Sequence, residues 1–300
     1  MSEVLEELHA RQREAAEQQA AGQPEPSLAE LRAGFLPIGR AHPIPDDVTV
    51  TEVVAGGVPS RWLDAPGVDP RRALLFLHGG GFQFGSVASD GELAARLGRA
   101  AGMRVLFPEY RLAPEHPFPA ALDDARAAWA WLRETEGLPA RSLVVAGDSA
   151  GGGLAVSLLL AERDAGSELP AAAVLMSPTV DLTSSGASMT ERVDQDPIST
   201  PELLRRLADD YLAGVDPRTP AASPLFASLA GLPPLLIVSG TADLLLSDSE
   251  RLADAARAAG VDVTLELGDG LPHVYPLADG TPEAARATDE IGRFLRAHLG

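Results

Sequence analysis

The chain has 300 residues, 45% of them hydrophobic and 22% charged, enough to build one large α/β domain, or two small ones, around a sizeable core. Its formal net charge of −19 argues against nucleic acid and anionic membrane surfaces as partners, since both select clustered Lys and Arg; such a charge serves solubility. There is no cysteine, which excludes disulfides, thiolate catalysis and thiolate-held metals.

The acidic beginning, Met1-Ser2-Glu3-Val4, lacks the basic and apolar regions of a secretory signal, so a cytoplasmic protein is expected. Residues 1–21 read as one polar helix with a thin apolar stripe of Val4, Leu5 and Leu8. Gly22-Gln23-Pro24-Glu25-Pro26 breaks it, and Ser27 stands where it can cap a second helix from Leu28. Residues 48–55 alternate as a strand, Gly56-Gly57 turns the chain, and residues 58–64 form the hairpin partner. Short apolar runs then follow at 73–77, 104–107, 142–146, 171–176, 234–238 and 261–267. Between them lie helical stretches rich in Ala, Leu, Arg and Glu near 89–101, 120–136, 150–163, 246–259 and 283–298. Such a rhythm predicts a mostly parallel sheet covered by helices on both faces. Residues 177–233 break it: several prolines and a helix near 201–213 read as an insertion that forms a lid or cap. The longest apolar stretches, such as 154–161, are too short for a membrane span, and no internal repeat is visible.

The sharpest signal is Gly147-Asp148-Ser149-Ala150-Gly151-Gly152, a Gly-x-Ser-x-Gly placed directly after one predicted strand and before one predicted helix. A serine on so tight a turn is strained and exposed, and the flanking glycines leave room for neighbouring backbone. The helix behind it points its positive end at a developing oxyanion, which makes the N–H of Ala150 a natural donor. A phosphate loop would carry a Lys after the glycines, and none is present. His78-Gly79-Gly80-Gly81-Phe82 follows the strand at 73–77; the N–H groups of Gly80 and Gly81 are the other expected oxyanion donors.

A serine nucleophile needs a base, and the base needs an orienting acid. In this arrangement the chain order is Ser, acid, His, and only His273 and His298 follow Ser149. His298 sits in the last helical stretch and reads as a surface residue, whereas His273 follows the last strand in Gly270-Leu271-Pro272-His273 and is the expected base. The acid belongs after the strand at 234–238, where Asp243 is the first choice and Asp248 the second.

Together these motifs resemble the hormone-sensitive-lipase family of α/β-hydrolase esterases, in its bacterial branch. Tyr110-Arg111-Leu112-Ala113-Pro114-Glu115 and Pro117-Phe118-Pro119-Ala120 are similar to the family's stretch after the fourth strand. Many members carry Pro directly after the acid, where this chain has Leu244. The resemblance implies an α/β-hydrolase fold with an eight-stranded sheet. It implies a core of residues 46–183 and 223–300, and a helical cap from residues 1–45 and 184–222. It further implies a Ser149, Asp243 and His273 triad acting on short-chain acyl esters, small-molecule substrates, no cofactor and no metal, with a homodimer possible. Asp148 and Glu115 are then structural. A lactone hydrolase, an amidase and a non-catalytic receptor remain as alternatives, although receptors related to this family lack a working histidine and His273 is present. Phe35, Phe82, Phe84, Tyr211 and Leu212 are candidates for the acyl pocket, or for ordinary core.

Overall fold

The structure, a computed structural model, describes residues 27–30, 32 and 43–299. Strands β1 (Thr49–Ala55) and β2 (Val58–Asp64) form an antiparallel hairpin. Gly56 and Gly57 turn it at φ 61° and 93°, a backbone conformation that side chains resist. β2 runs antiparallel to β4 (Met103–Pro108), and from there every pairing is parallel: β3 (Asp69–Leu77), β5 (Leu143–Asp148), β6 (Ala172–Met176), β7 (Leu235–Ala242) and β8 (Val263–Pro272). The order across the sheet is β1-β2-β4-β3-β5-β6-β7-β8. This is the mostly parallel sheet expected from the strand–helix rhythm, with the eight strands that the family resemblance implies.

The central strands are apolar without alternation because helices cover both faces. Along β5, Leu143 and Val145 enter one core while Val144 and Ala146 enter the other. Helices α2 (Ala120–Glu134), α3 (Ser149–Asp164) and α6 (Leu246–Ala258) close the first core. Helices α1 (Val87–Ala101) and α7 (Pro282–His298) close the second. Each fully buried leucine contributes roughly 1.5–3 kcal/mol, so this double layer dominates the stability of the sheet. β3 begins at Asp69 instead of 73, across a register shift between Asp69 and Ala73. β8 continues past 267 to Pro272, so Gly270, Leu271 and Pro272, expected to follow the last strand, belong to it.

Between β6 and β7 the chain carries α4 (Ser188–Glu191) and α5 (Pro201–Leu212). Thr200 caps α5 by accepting the N–H of Leu203 at 3.1 Å, and Pro201 occupies the first turn, where no N–H is needed. Near the N-terminus, Ser27 Oγ accepts the N–H of Glu30 at 3.3 Å while Glu30 Oε2 accepts the N–H of Ser27 at 2.7 Å. That reciprocal pair is the cap expected at Ser27, ahead of a helix from Leu28. The helix expected over 1–21 and the position of Phe35 lie outside the described residues. Among the described residues no helix is long and apolar enough to cross a membrane.

Candidate active site

β5 ends at Asp148 and α3 begins at Ser149 with no intervening loop, which forces Ser149 to φ 51°. A non-glycine residue there costs on the order of 1–3 kcal/mol and persists only where its surroundings dictate it. The surroundings are backbone: a side chain at Gly147 would overlap the carbonyl of Gly151, and one at Gly151 would overlap those of Leu77 and His78. The Ser149 carbonyl is held in turn by the N–H of Thr179 at 2.9 Å.

The loop after β3 lies against this turn. A Cβ built on Gly79 would strike Asp148 Oδ2 and stand 3.2 Å from Ser149 Cβ. Gly80 and Gly81 have φ 101° and 59°, and the Gly80 carbonyl accepts the N–H groups of Gln83 and Phe84, each at 3.0 Å. The loop is therefore folded on itself, and among the described residues no backbone acceptor takes the N–H of Gly80 or Gly81. Ala150, in the first turn of α3, likewise has no helical partner for its N–H. His78 is buried, stacks on Tyr110 at 4.1 Å and places Nδ1 2.8 Å from the Gly79 carbonyl. Burial holds its pKa down at about 4, so it is a neutral prop for the loop.

His273 follows β8 and brings Nε2 to 2.9 Å from Ser149 Oγ. Its Nδ1 lies 3.1 Å from each oxygen of Asp243, which is wholly buried. Asp243 Oδ1 also accepts the N–H of Leu245 at 2.8 Å. Burial pushes the His273 pKa down, but the carboxylates of Asp243, Asp196 and Asp148 outweigh it and hold it at about 9. Burial and the neighbouring Asp90 carboxylate hold Asp148 well above the usual carboxylate range. Asp248, the second choice for the acid, accepts the N–H groups of Val180 and Asp181 at 2.8 and 2.9 Å and ties α6 to the loop after β6. His298, expected at the surface, is half-buried against Phe294 in the last helix and places Nδ1 2.9 Å from the Phe294 carbonyl. Glu115 forms a two-pronged pair with Arg32 at 2.7 and 2.8 Å, and Arg32 Nε also donates to the Gln83 carbonyl at 2.8 Å.

Helix α5 packs on the glycine loop. Tyr211 stacks on Phe82 at 3.7 Å, Leu207 fills the space beside Gly81, and Gln83 Nε2 donates to Asp210 Oδ2 at 3.1 Å. Phe82, Phe84, Tyr211 and Leu212 are all buried. Three residues of this neighbourhood carried no sequence signal. Ser177 Oγ accepts the N–H of Val274, and Ser188 and Asp196 bind the backbone of Leu244. Each is a common residue type whose partner lies far along the chain. Leu244, where proline was the family's habit, supplies an N–H that is used. Among the described residues no group of three His, Asp or Glu side chains is arranged to hold a metal ion.

A model of the alpha/beta hydrolase fold family matches residues 74–277. An acetyl-hydrolase of Streptomyces hygroscopicus is 46% identical over 249 residues, 83% of each chain. A carboxylic ester hydrolase of Mycobacterium tuberculosis, LipN, is 36% identical over 293 residues, covering 91% of this chain and 77% of its own. The crystal structure of an esterase from the bacterial hormone-sensitive lipase family superposes with a TM-score of 0.94 at 40% identity, over 100% of this chain and 99% of the other. The chain belongs to the bacterial hormone-sensitive-lipase family of α/β-hydrolases and is a serine ester hydrolase.

Proposed function

We propose that the protein is a carboxylesterase for short-chain acyl esters that works through Ser149, His273 and Asp243. The observation that carries this reading is the unbroken relay from Ser149 Oγ to His273 Nε2 at 2.9 Å and from His273 Nδ1 to Asp243 at 3.1 Å. His273 takes the hydroxyl proton as Ser149 Oγ attacks the ester carbonyl. The negative oxygen of the tetrahedral intermediate is received by the N–H groups of Gly80, Gly81 and Ala150. His273 then protonates the leaving alcohol, an acyl-serine remains, and water activated by the same imidazole releases the acid and restores Ser149.

The preference for short chains is supported by the tight packing of Leu207 and Tyr211 over the glycine loop, and by the name acetyl-hydrolase borne by a relative. Residues 1–45 and 184–222 form the cap in this reading, over a core of 46–183 and 223–300. A cytoplasmic location and a homodimer belong to the same proposal, and light scattering tests the second. The central experiment is hydrolysis of p-nitrophenyl esters of increasing acyl length, with lactones alongside, by the native protein and by Ser149→Ala. We expect a maximum at about four to eight carbons and a fall for longer chains, since a filled pocket stops rewarding added methylenes. Ser149→Ala should lose roughly 10⁴-fold or more in kcat while keeping its fold. More than a few per cent residual activity in that variant overturns the assignment.

A further inference from the structure

The insertion between β6 and β7 holds both backbone polar groups of Leu244, the residue after Asp243. The Asp196 carboxylate accepts three backbone N–H groups: Ile198 at 2.7 Å and Ser199 at 3.0 Å on one oxygen, and Leu244 at 2.8 Å on the other. The Leu244 carbonyl accepts Ser188 Oγ at 2.6 Å, and that hydroxyl accepts the N–H of Ser247 at 3.0 Å. Both polar groups of Leu244 are thus held by side chains from the insertion, 48 and 56 residues away in sequence. The loop itself has no need of the Leu244 N–H. Asp243 to Leu246 form a β-turn closed by the Leu246 N–H on the Asp243 carbonyl at 3.2 Å, with Leu244 at its second position. Proline fits that position well because no N–H is required there. The one acceptor that takes this N–H among the described residues is Asp196.

We propose that Asp196 is a positioning residue of the ester hydrolase: by holding the N–H of Leu244 it fixes the peptide next to Asp243 and so aims the Asp243 carboxylate at His273. The proposal rests on the Ser149, His273 and Asp243 reading above. Its physical basis is the short path between the two carboxylates. The Leu245 N–H that orients Asp243 Oδ1 belongs to the peptide that also carries the Leu244 carbonyl, so turning Leu244 turns that donor as well. A carboxylate displaced by on the order of 1 Å falls within the range where activity drops about 100-fold. Asp196 also faces His273 as a charge, with Asp243 and Asp148 the other carboxylates that do so.

The test is a cycle of Asp196→Ala, Leu244→Pro and the double variant, with p-nitrophenyl acetate as substrate and kcat, KM and the pH profile as readouts. Leu244→Pro deletes the N–H at a turn position that accepts proline, so the cycle stays informative even if Asp196→Ala folds poorly. Each single change should lower kcat about 10- to 100-fold with KM within about twofold, and the double variant should lose no more than the worse single. Asp196→Ala should also lower the pH midpoint of kcat/KM more than Leu244→Pro does, because only the former removes a charge facing His273. The proposal is overturned if Leu244→Pro keeps the native kcat, or if the two losses multiply in the double variant. Asp243→Asn separates the layers: a native kcat in that variant sinks the relay and the clamp together, whereas a large loss there beside an active Leu244→Pro sinks the clamp alone.

Discussion

Gly79→Ala tests whether the glycine loop must lie against the nucleophile turn. Gly79 is not at positive φ, so alanine meets no backbone strain of its own and the perturbation is purely steric. The added methyl would overlap Asp148 Oδ2 and press to 3.2 Å from Ser149 Cβ. Asp148 is buried and cannot swing into solvent, so the loop has to withdraw. Relief needs a shift on the order of 1 Å, which takes the N–H groups of Gly80 and Gly81 away from an oxyanion on Ser149. Loss of one such donor costs about 10²- to 10³-fold in kcat, roughly 2.7–4 kcal/mol. We expect kcat on p-nitrophenyl acetate to fall about 100-fold with KM little changed. Overpacking should cost about 1–3 kcal/mol of stability, visible as a lowered Tm but not as unfolding at assay temperature. Adding Asp148→Ala removes the obstacle and should recover most of the loss at the pH plateau. A Gly79→Ala enzyme within about threefold of native kcat would refute the reasoning, because an oxyanion site built on this loop cannot absorb that displacement.

If His273 is the base, as proposed, the kcat/KM profile should rise with pH through a single group above the ordinary histidine value of about 6.5 and at or below about 9, since only neutral imidazole accepts a proton and its carboxylate neighbours favour the charged form; a midpoint at or below about 6.5 contradicts it. The same raised value makes His273 a stabilising group below its unfolded value of about 6.5, and that contribution is lost as pH climbs through about 9, so chemical denaturation at pH 6 and 9.5 should differ in that direction. Ser177→Ala should leave the buried Val274 N–H without its acceptor at 3.0 Å, costing about 1–3 kcal/mol by urea unfolding and lowering kcat through the loop that carries His273; an unchanged midpoint and rate would show the bond to be idle. Deleting residues 1–40 removes Arg32 and its hold on Glu115 and Gln83, and should weaken short-chain selectivity with the sheet still folded by circular dichroism; an identical chain-length profile would assign that segment another role.

The features legible in the sequence are those that local sterics write into it. Gly147, Gly151 and Gly79 sit where any side chain would strike neighbouring backbone or a buried carboxylate, so the motifs around Ser149 record contacts that composition must respect. The buried strands were visible because two covered faces demand continuous apolar residues, as in β6. The apolar run at 261–267 covers only part of β8 because the strand goes on through Gly268-Asp269-Gly270, where pairing comes from the neighbouring strand instead of from propensity: Gly240 leaves room for the Leu271 and Pro272 carbonyls. Asp196 and Ser188 were invisible for the opposite reason. Their partner is a backbone group, any residue but proline can supply an N–H, and nothing at position 244 announces that it is used.

The way the insertion is fastened bears on exchange of parts between related enzymes. The segment between β6 and β7 is one continuous stretch of chain and so a natural cassette for exchange. Yet Ser188 trades hydrogen bonds with Ser247 in both directions, Asp196 holds Leu244, and Asp248 reaches back to Val180 and Asp181. A foreign cassette arrives without the matching side chains and leaves the start of α6 with unclaimed donors beside the acid. Transplants that carry positions 188 and 196 together with 244, 247 and 248 should therefore keep turnover, whereas the same transplants without them should bind new esters and convert them slowly.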